Sequence, residues 1–242
     1  MRFICVYFGG EKYTRLARAL EYSIAVNVPG ANIIMIEGDR PSPYVAEHGG
    51  KITPFYMDNT YKLELWYQEL LQSNEPTVFM DADMVVLKDL THVFNGDFDI
   101  AITERKHRRH PGFWFNGGVI YVKPNMRSLA FFRRWVERND YLLKHPDELK
   151  EAQEVCWGMN QAAFMSVYNE IHGNTICHFK KLPAKIYNCC DSHWHEFDPD
   201  KTAVLHIKGV FREMIWGGCE IERMPKRIKT PAAHWYKYDI AG

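Results

Sequence analysis

Apolar and polar positions along the chain switch between two periods. Phe3-Ile4-Cys5-Val6-Tyr7-Phe8 is an unbroken apolar run, the pattern of a strand buried on both faces. Gly9-Gly10 then turns the chain into a stretch whose positions Leu16, Ala19, Leu20, Ser23 and Ile24 share one face of a helix. Residues 33–36 repeat the strand pattern. Leu63, Trp66, Tyr67, Leu70 and Leu71 follow the i, i+3, i+4, i+7, i+8 spacing of a second amphipathic helix, which feeds into Thr77-Val78-Phe79-Met80. The order β-α-β-α-β predicts an α/β fold, with a Rossmann-like, mainly parallel sheet flanked by helices. The second half is less regular. Residues 119–122 and 202–207 read as strands; Leu129, Phe132, Val136 and Leu143, and later residues 162–168, read as helices.

In such sheets ligands sit beyond the carboxyl ends of the strands. Both Gly9-Gly10 and Asp81-Ala82-Asp83 fall at strand ends by this reading. In an extended backbone the i, i+2 spacing turns both carboxylates to one face with Ala82 turned away, and two hard oxygen ligands there suit a divalent cation holding a diphosphate. His206 follows the apolar Ala203-Val204-Leu205 and adds an imidazole, which fits Mn²⁺ better than Ca²⁺.

Composition changes this picture little. The chain has 242 residues, 46% of them hydrophobic and 14% aromatic, which predicts one well-packed domain rather than disorder. No internal repeat or linker divides it. Thirty basic residues cancel thirty acidic ones, so global charge gives no reason to expect wholesale nucleic-acid or membrane binding. The N-terminal apolar stretch is too short for a signal sequence, and no run of 18 apolar residues occurs, so a soluble, cytoplasmic protein is expected. The six cysteines form no Cys-x-x-Cys pair, and Cys189-Cys190 suits neither a zinc site nor a common disulfide framework. Reduced thiols are expected.

Several segments together resemble one family. Lys62-Leu63 with residues 78–87 and on to Leu90 and Phe94 is similar to the metal-binding segment of family 8 glycosyltransferases. Phe115-Asn116-Gly117-Gly118 resembles the family's Phe-Asn-Ser/Ala-Gly, Gly158-Met159-Asn160-Gln161 its Gly-Asp-Gln, Leu182-Pro183 with Tyr187-Asn188 its Leu-Pro-x-x-Tyr-Asn, and His206-Ile207-Lys208-Gly209 its His-x-x-Gly. The motifs follow in the family's order, which is more specific than any one of them.

The resemblance implies a single GT-A domain, with a nucleotide-binding half over about residues 1–100 and an acceptor half over about 101–242. It implies transfer of a hexose from a UDP-sugar to a hydroxyl acceptor, a glycan foremost, with Mn²⁺ or Mg²⁺ and retention of anomeric configuration. Asp81, Asp83 and His206 would hold the metal. Tyr13, Lys62, Ala82, Gly117, Gly118, Gly209 and Arg212 would line the donor nucleotide site, and Asn116, Asn160 and Gln161 would be the catalytic residues, facing the donor sugar. Two departures stand out. Asn160 replaces the family's carboxylate, and no Lys-Pro-Trp follows Gly209; Arg212 stands where the family usually carries lysine.

Three other readings use the same residues: a nucleotide-sugar hydrolase, a catalytically silent sugar-nucleotide-binding protein, and a glycosyltransferase acting on modified-base DNA. The last draws on the basic run Arg105-Lys106-His107-Arg108-Arg109-His110, which precedes Phe113 and Trp114 and offers charge and stacking surface to an anionic acceptor. A solvated loop explains the same run. His193-Trp194-His195 reads as an acceptor-side loop.

Overall fold

A computed structural model describes residues 1–38, 54–105, 114–156, 158–171 and 177–239. In chain order the elements that build the sheet are β1 (Arg2–Tyr7), β2 (Asn32–Glu37), β3 (Thr77–Met80), β5 (Ile100–Glu104), β6 (Phe115–Val122) and β7 (Phe179–Pro183). Their spatial order is β2-β1-β3-β6-β5-β7. Pairs β1–β2, β1–β3 and β5–β7 are parallel, while β6 runs antiparallel to both β3 and β5. A separate two-stranded ladder pairs β4 (Met84–Val86) with β8 (Val204–His206), Met84 opposite His206.

The apolar runs are explained by what covers them. Along β1, Phe3 and Cys5 point into one hydrophobic cluster and Ile4 and Val6 into another, so residues 3–6 are all buried and only Tyr7 at the strand's end is half-buried. The first cluster takes in Leu16, Leu20 and Ile24 of α1 (Glu11–Asn27), then Phe211 and Ile215 of α7 (Val210–Trp216) and Trp235 of α8 (Lys226–Trp235). The second takes in Leu63, Trp66 and Leu70 of α2 (Pro54–Leu71), Phe131 and Trp135 of α3 (Met126–Lys144) and Phe164 of α5 (Met159–Ile171). Two shorter helices, α4 (Pro146–Val155) and α6 (Ala184–Tyr187), follow α3 and β7 in the chain. This three-layer arrangement is the predicted α/β architecture. Among the described residues no helix is long and apolar enough to cross a membrane. All six cysteines are free. Burial pushes the Cys156 thiol up to about 11 and that of Cys177 up to about 12, which keeps both as unreactive thiols.

Two expectations need correction. Asp81-Ala82-Asp83 is not extended strand: β3 ends at Met80, and the triplet forms the turn between β3 and β4. Nor is His193-Trp194-His195 simply a loop on the acceptor side. Trp194 starts a 3-10 turn (Trp194–Glu196), is buried, meets Phe211 edge-on and donates its indole N–H to the carbonyl of His206 at 3.0 Å.

One buried carboxylate ties three elements together. Asp99, 1% exposed, accepts from the Asn125 carboxamide and the His178 backbone at 2.8 Å each, and from Arg127 Nε at 2.9 Å. Asn125 caps α3 in a capping box with Ser128. Burial opposes the charge on Asp99, but these donors outweigh it and lower its pKa. A carboxyl lowered on folding stabilises the protein above the unfolded-state value near ~4, and that contribution disappears as pH falls through the folded value. Asp99→Ala should therefore cost about 1–3 kcal/mol at neutral pH, because it leaves the Asn125 carboxamide and the His178 N–H without their acceptor. Urea unfolding checks this, and the deficit relative to wild type should shrink in acid.

Candidate functional site

Beyond the carboxyl ends of β1 and β3 lies a cavity of about 460 Å³. Every residue expected at the site lines it: Tyr13 from α1, Lys62 from α2, the Asp81-Ala82-Asp83 turn, Asn116, Gly117 and Gly118 from β6, Asn160 and Gln161 from α5, and His206, Gly209 and Arg212 from β8 and α7. The cavity also includes Asp58 and Asn59, which no sequence pattern pointed to, and Phe8, Gly158 and Lys208, which stood in the strand and motifs without a role of their own.

Asp81, Asp83 and His206 form its centre. Each offers one ligand atom, and these atoms lie within 4.8 Å of one another. The turn achieves what the extended spacing was expected to do, because the backbone is held on both sides: Asp81 N–H donates to Gly118 O at 2.8 Å, and Ile207 N–H donates to Asp83 O at 2.9 Å. Lys62 Nζ reaches Asp81 Oδ1 at 2.6 Å, and Arg212 Nη1 reaches Asp83 Oδ2 at 2.9 Å. His206 Nε2 faces Asp83 Oδ1 at 3.1 Å. Burial alone disfavours the Asp83 charge, yet His206, Arg212 and Lys208 together outweigh it and hold the carboxyl well below the usual carboxylate range. Two carboxylates and an imidazole make a donor set suited to Mn²⁺ or Mg²⁺, with the imidazole favouring Mn²⁺. The residues present therefore fit a divalent cation.

Arg212 is also framed by aromatic rings. Its guanidinium lies 4.9 Å from the Trp216 ring centroid and 5.6 Å from that of Tyr13, and the two rings meet nearly edge-on. Burial raises the pKa of the Tyr13 hydroxyl, against the lowering influence of Arg212. Gly9, at φ +110°, makes this packing possible, since a Cβ there would stand 2.7 Å from Tyr13 Cδ2. Where a Lys-Pro-Trp loop was missing from the sequence, residues 210–216 form α7, and the chain enters it through Gly209 at φ +60°.

On the opposite wall the β5–β6 ladder slips: Ile102 pairs with Ile120, but Thr103 pairs with Asn116. The intervening residues 117–119 therefore bulge away from β5 while Val119 stays paired with Met80 of β3, a device that re-aims side chains at a site. Gln161 Oε1 accepts from Gly117 N–H at 2.9 Å. Asn160 is 92% buried by its 8% exposure, and its backbone carbonyl accepts from Trp135 Nε1 at 2.7 Å, which fixes the start of α5 against α3. Its own carboxamide has no hydrogen-bond partner among the described residues and lines the cavity. Of the basic run at 105–110 only Arg105 is described; its N–H donates to Trp114 O at 2.7 Å, and residues 106–113 lie outside the described residues.

Two buried residues next to this wall, Thr103 and Asn188, carry hydrogen bonds to the site. Asn188 stood in a family-like motif without a role. Thr103 has no sequence signal, since only the ladder slip brings it opposite Asn116.

Residues 60–214 match the family model of nucleotide-diphospho-sugar transferases. No curated protein sequence matches the chain. Among solved structures the fold is similar to a glycosyltransferase involved in the glycosylation of the major capsid of PBCV-1, with a TM-score of 0.60 and 13% identity over 88% of this chain and 95% of that one. It is similar to the galactosyltransferase LgtC, solved with donor and acceptor sugar analogues, at a TM-score of 0.54 and 12% identity over 99% and 95%. The glycosyltransferase GlyE of Streptococcus pneumoniae TIGR4 gives 0.53 and 14%, and there the chain spans all of its own length but 60% of GlyE. At these identities the likeness establishes the fold, which is GT-A.

Proposed function

The chain belongs to the nucleotide-diphospho-sugar transferase family and is a glycosyltransferase; from the site we propose that it moves a hexose from a UDP-sugar to an acceptor hydroxyl, most readily of a glycan, with retention. The observation that carries this reading is the convergence of Asp81, Asp83 and His206 at the centre of a cavity that also gathers Lys62, Arg212 and the Asn160-Gln161 pair. When bound, a divalent cation held by Asp81, Asp83 and His206 would supply Lewis-acid charge that offsets the negative charge the diphosphate gains as the glycosyl–phosphate bond breaks.

The other residues supply position and charge. Lys62 and Arg212, each already 2.6–2.9 Å from a carboxylate, turn to the diphosphate when it enters. The Tyr13 face is the stacking surface for the base. Asn116, Asn160 and Gln161 present carboxamides to sugar hydroxyls. Asn160 takes no proton, so the acceptor hydroxyl passes its proton to the departing diphosphate oxygen. That oxygen leaves from the face at which the new bond to the anomeric carbon forms, and the configuration is kept.

Two measurements test the reading. UDP should bind in calorimetry with Mn²⁺ present and lose most of its affinity in excess EDTA; equal binding in both would overturn the metal site. With a UDP-sugar and a panel of glycan acceptors, the anomeric proton of the product should show an α linkage from an α donor. A β-linked product would refute retention, and release of free sugar regardless of acceptor would mark a hydrolase instead.

A further inference from the structure

We propose that Asn188 is a positioning residue that keeps a proton on His206 Nδ1 and so leaves Nε2 as the ring nitrogen that faces Asp81 and Asp83. The inference rests on reading those three residues as the metal site.

The chain of reasoning starts from a group whose role is not in doubt, a backbone N–H. Gly118 N–H donates to the side-chain oxygen of Asn116 at 3.0 Å, so that atom is an acceptor. Asn188 Nδ2 lies 2.9 Å from the same oxygen and 2.9 Å from Thr103 Oγ1. An oxygen in place of Nδ2 would face the Asn116 oxygen without a proton between them, so the amide of Asn188 cannot be turned the other way. Thr103 completes the arrangement by donating its hydroxyl to Asn116 O at 3.2 Å. The remaining polar atom of Asn188, Oδ1, then points at His206 Nδ1 across 2.9 Å and can only accept. Nδ1 must carry the proton.

A competing acceptor makes this assignment matter. Asp83 Oδ1 stands 3.1 Å from Nε2 and, without Asn188, would draw the proton to that nitrogen, where it would block ligation. Thr103 and Asn188 are fully buried and Asn116 and His206 are 5% and 3% exposed, so water does not substitute readily for a lost partner. The same network holds Asn116 at the sugar side of the cavity. One carboxamide thus sets the orientation of a metal ligand and of a sugar-facing amide together.

The proton position can be read directly in the metal-free protein by two-bond ¹⁵N–¹H correlation of the imidazoles, with His206 identified by the signals lost in His206→Ala. Wild type should show a proton on Nδ1, alone or together with one on Nε2 beside Asp83. In Asn188→Ala the Nδ1 proton should be lost and Nε2 should carry the only one, and Mn²⁺ affinity measured by electron spin resonance without nucleotide should fall roughly 10–100-fold. Thr103→Val is nearly isosteric and should move both readouts in the same direction by less; if Asn188→Ala does not fold, it carries the test alone. An Nδ1 without a proton in wild type, or an unchanged Nδ1 proton in the folded variants, overturns the proposal. A wild-type protein with Nδ1–H at His206 that binds no Mn²⁺ would overturn the metal reading and still support this role for Asn188.

Discussion

Asp83→Ala is expected to lower sugar transfer at least a thousandfold, about 4 kcal/mol of barrier, while leaving a cooperative fold. The side chain stands between His206 Nε2 and Arg212 Nη1, and its ionised form is what those neighbours stabilise. Without it two positive or potentially positive groups face the centre, and the cation loses one of its two carboxylates. The fold persists because the link from this turn to β8 runs through the backbone: Asp83 O still accepts from Ile207 N–H, and Asp81 N–H still reaches Gly118 O. Asp83→Asn separates charge from shape. It should lose nearly as much transfer as alanine with a smaller change in unfolding free energy, since the amide still accepts a hydrogen bond from Arg212. Turnover of Asp83→Asn within tenfold of wild type would remove Asp83 from the metal site.

The parts of the molecule that were legible in the sequence are those whose pattern has one physical cause. Residues 3–6 of β1 and 78–80 of β3 are apolar without a break because both faces are covered, and α1 and α2 show a stripe because one face is. Other elements carry mixed signals. β7 is an edge strand with mostly half-exposed or exposed residues, so Phe179-Lys180-Lys181-Leu182-Pro183 has no alternation to read. β4 is only three residues long and is absorbed into the turn that precedes it. Pro231 lies inside α8 and reads as a helix breaker. For the site, the ordered motifs named residues that line one cavity, but their spacing misstated the backbone: the carboxylates converge through a turn pinned by Gly118 and Ile207, not through strand alternation. Thr103 was out of reach, since its contact with Asn116 depends on a register slip that no local pattern encodes.

That slip leads to the second large effect, at Gly118. Its φ is not in the left-handed region, so alanine there suffers no backbone strain, and the whole cost is steric. A Cβ would stand 2.5 Å from Met84 Cε and 2.6 Å from His206 Cε1. Met84 has a flexible end that can give way. The His206 ring is held by Asn188 on one side and Asp83 on the other, so relief means displacing a metal ligand or the β6 bulge. The bulge is no freer, because Gly118 O accepts from Asp81 N–H and Gly118 N–H anchors Asn116. Overpacking of this kind costs about 1–3 kcal/mol of stability. A ligand shift on the order of 1 Å costs roughly a hundredfold in rate, so Gly118→Ala should lose at least that much transfer together with Mn²⁺ affinity. Gly117→Ala is the comparison. Its Cβ would meet Gln161 Cγ at 3.4 Å and Phe115 Cζ at 3.5 Å, ordinary contacts, and the loss should be much smaller. Kinetics and metal titration on both variants decide the matter: equal losses, or a Gly118→Ala enzyme with wild-type Mn²⁺ affinity, would show that His206 does not depend on the space this glycine leaves.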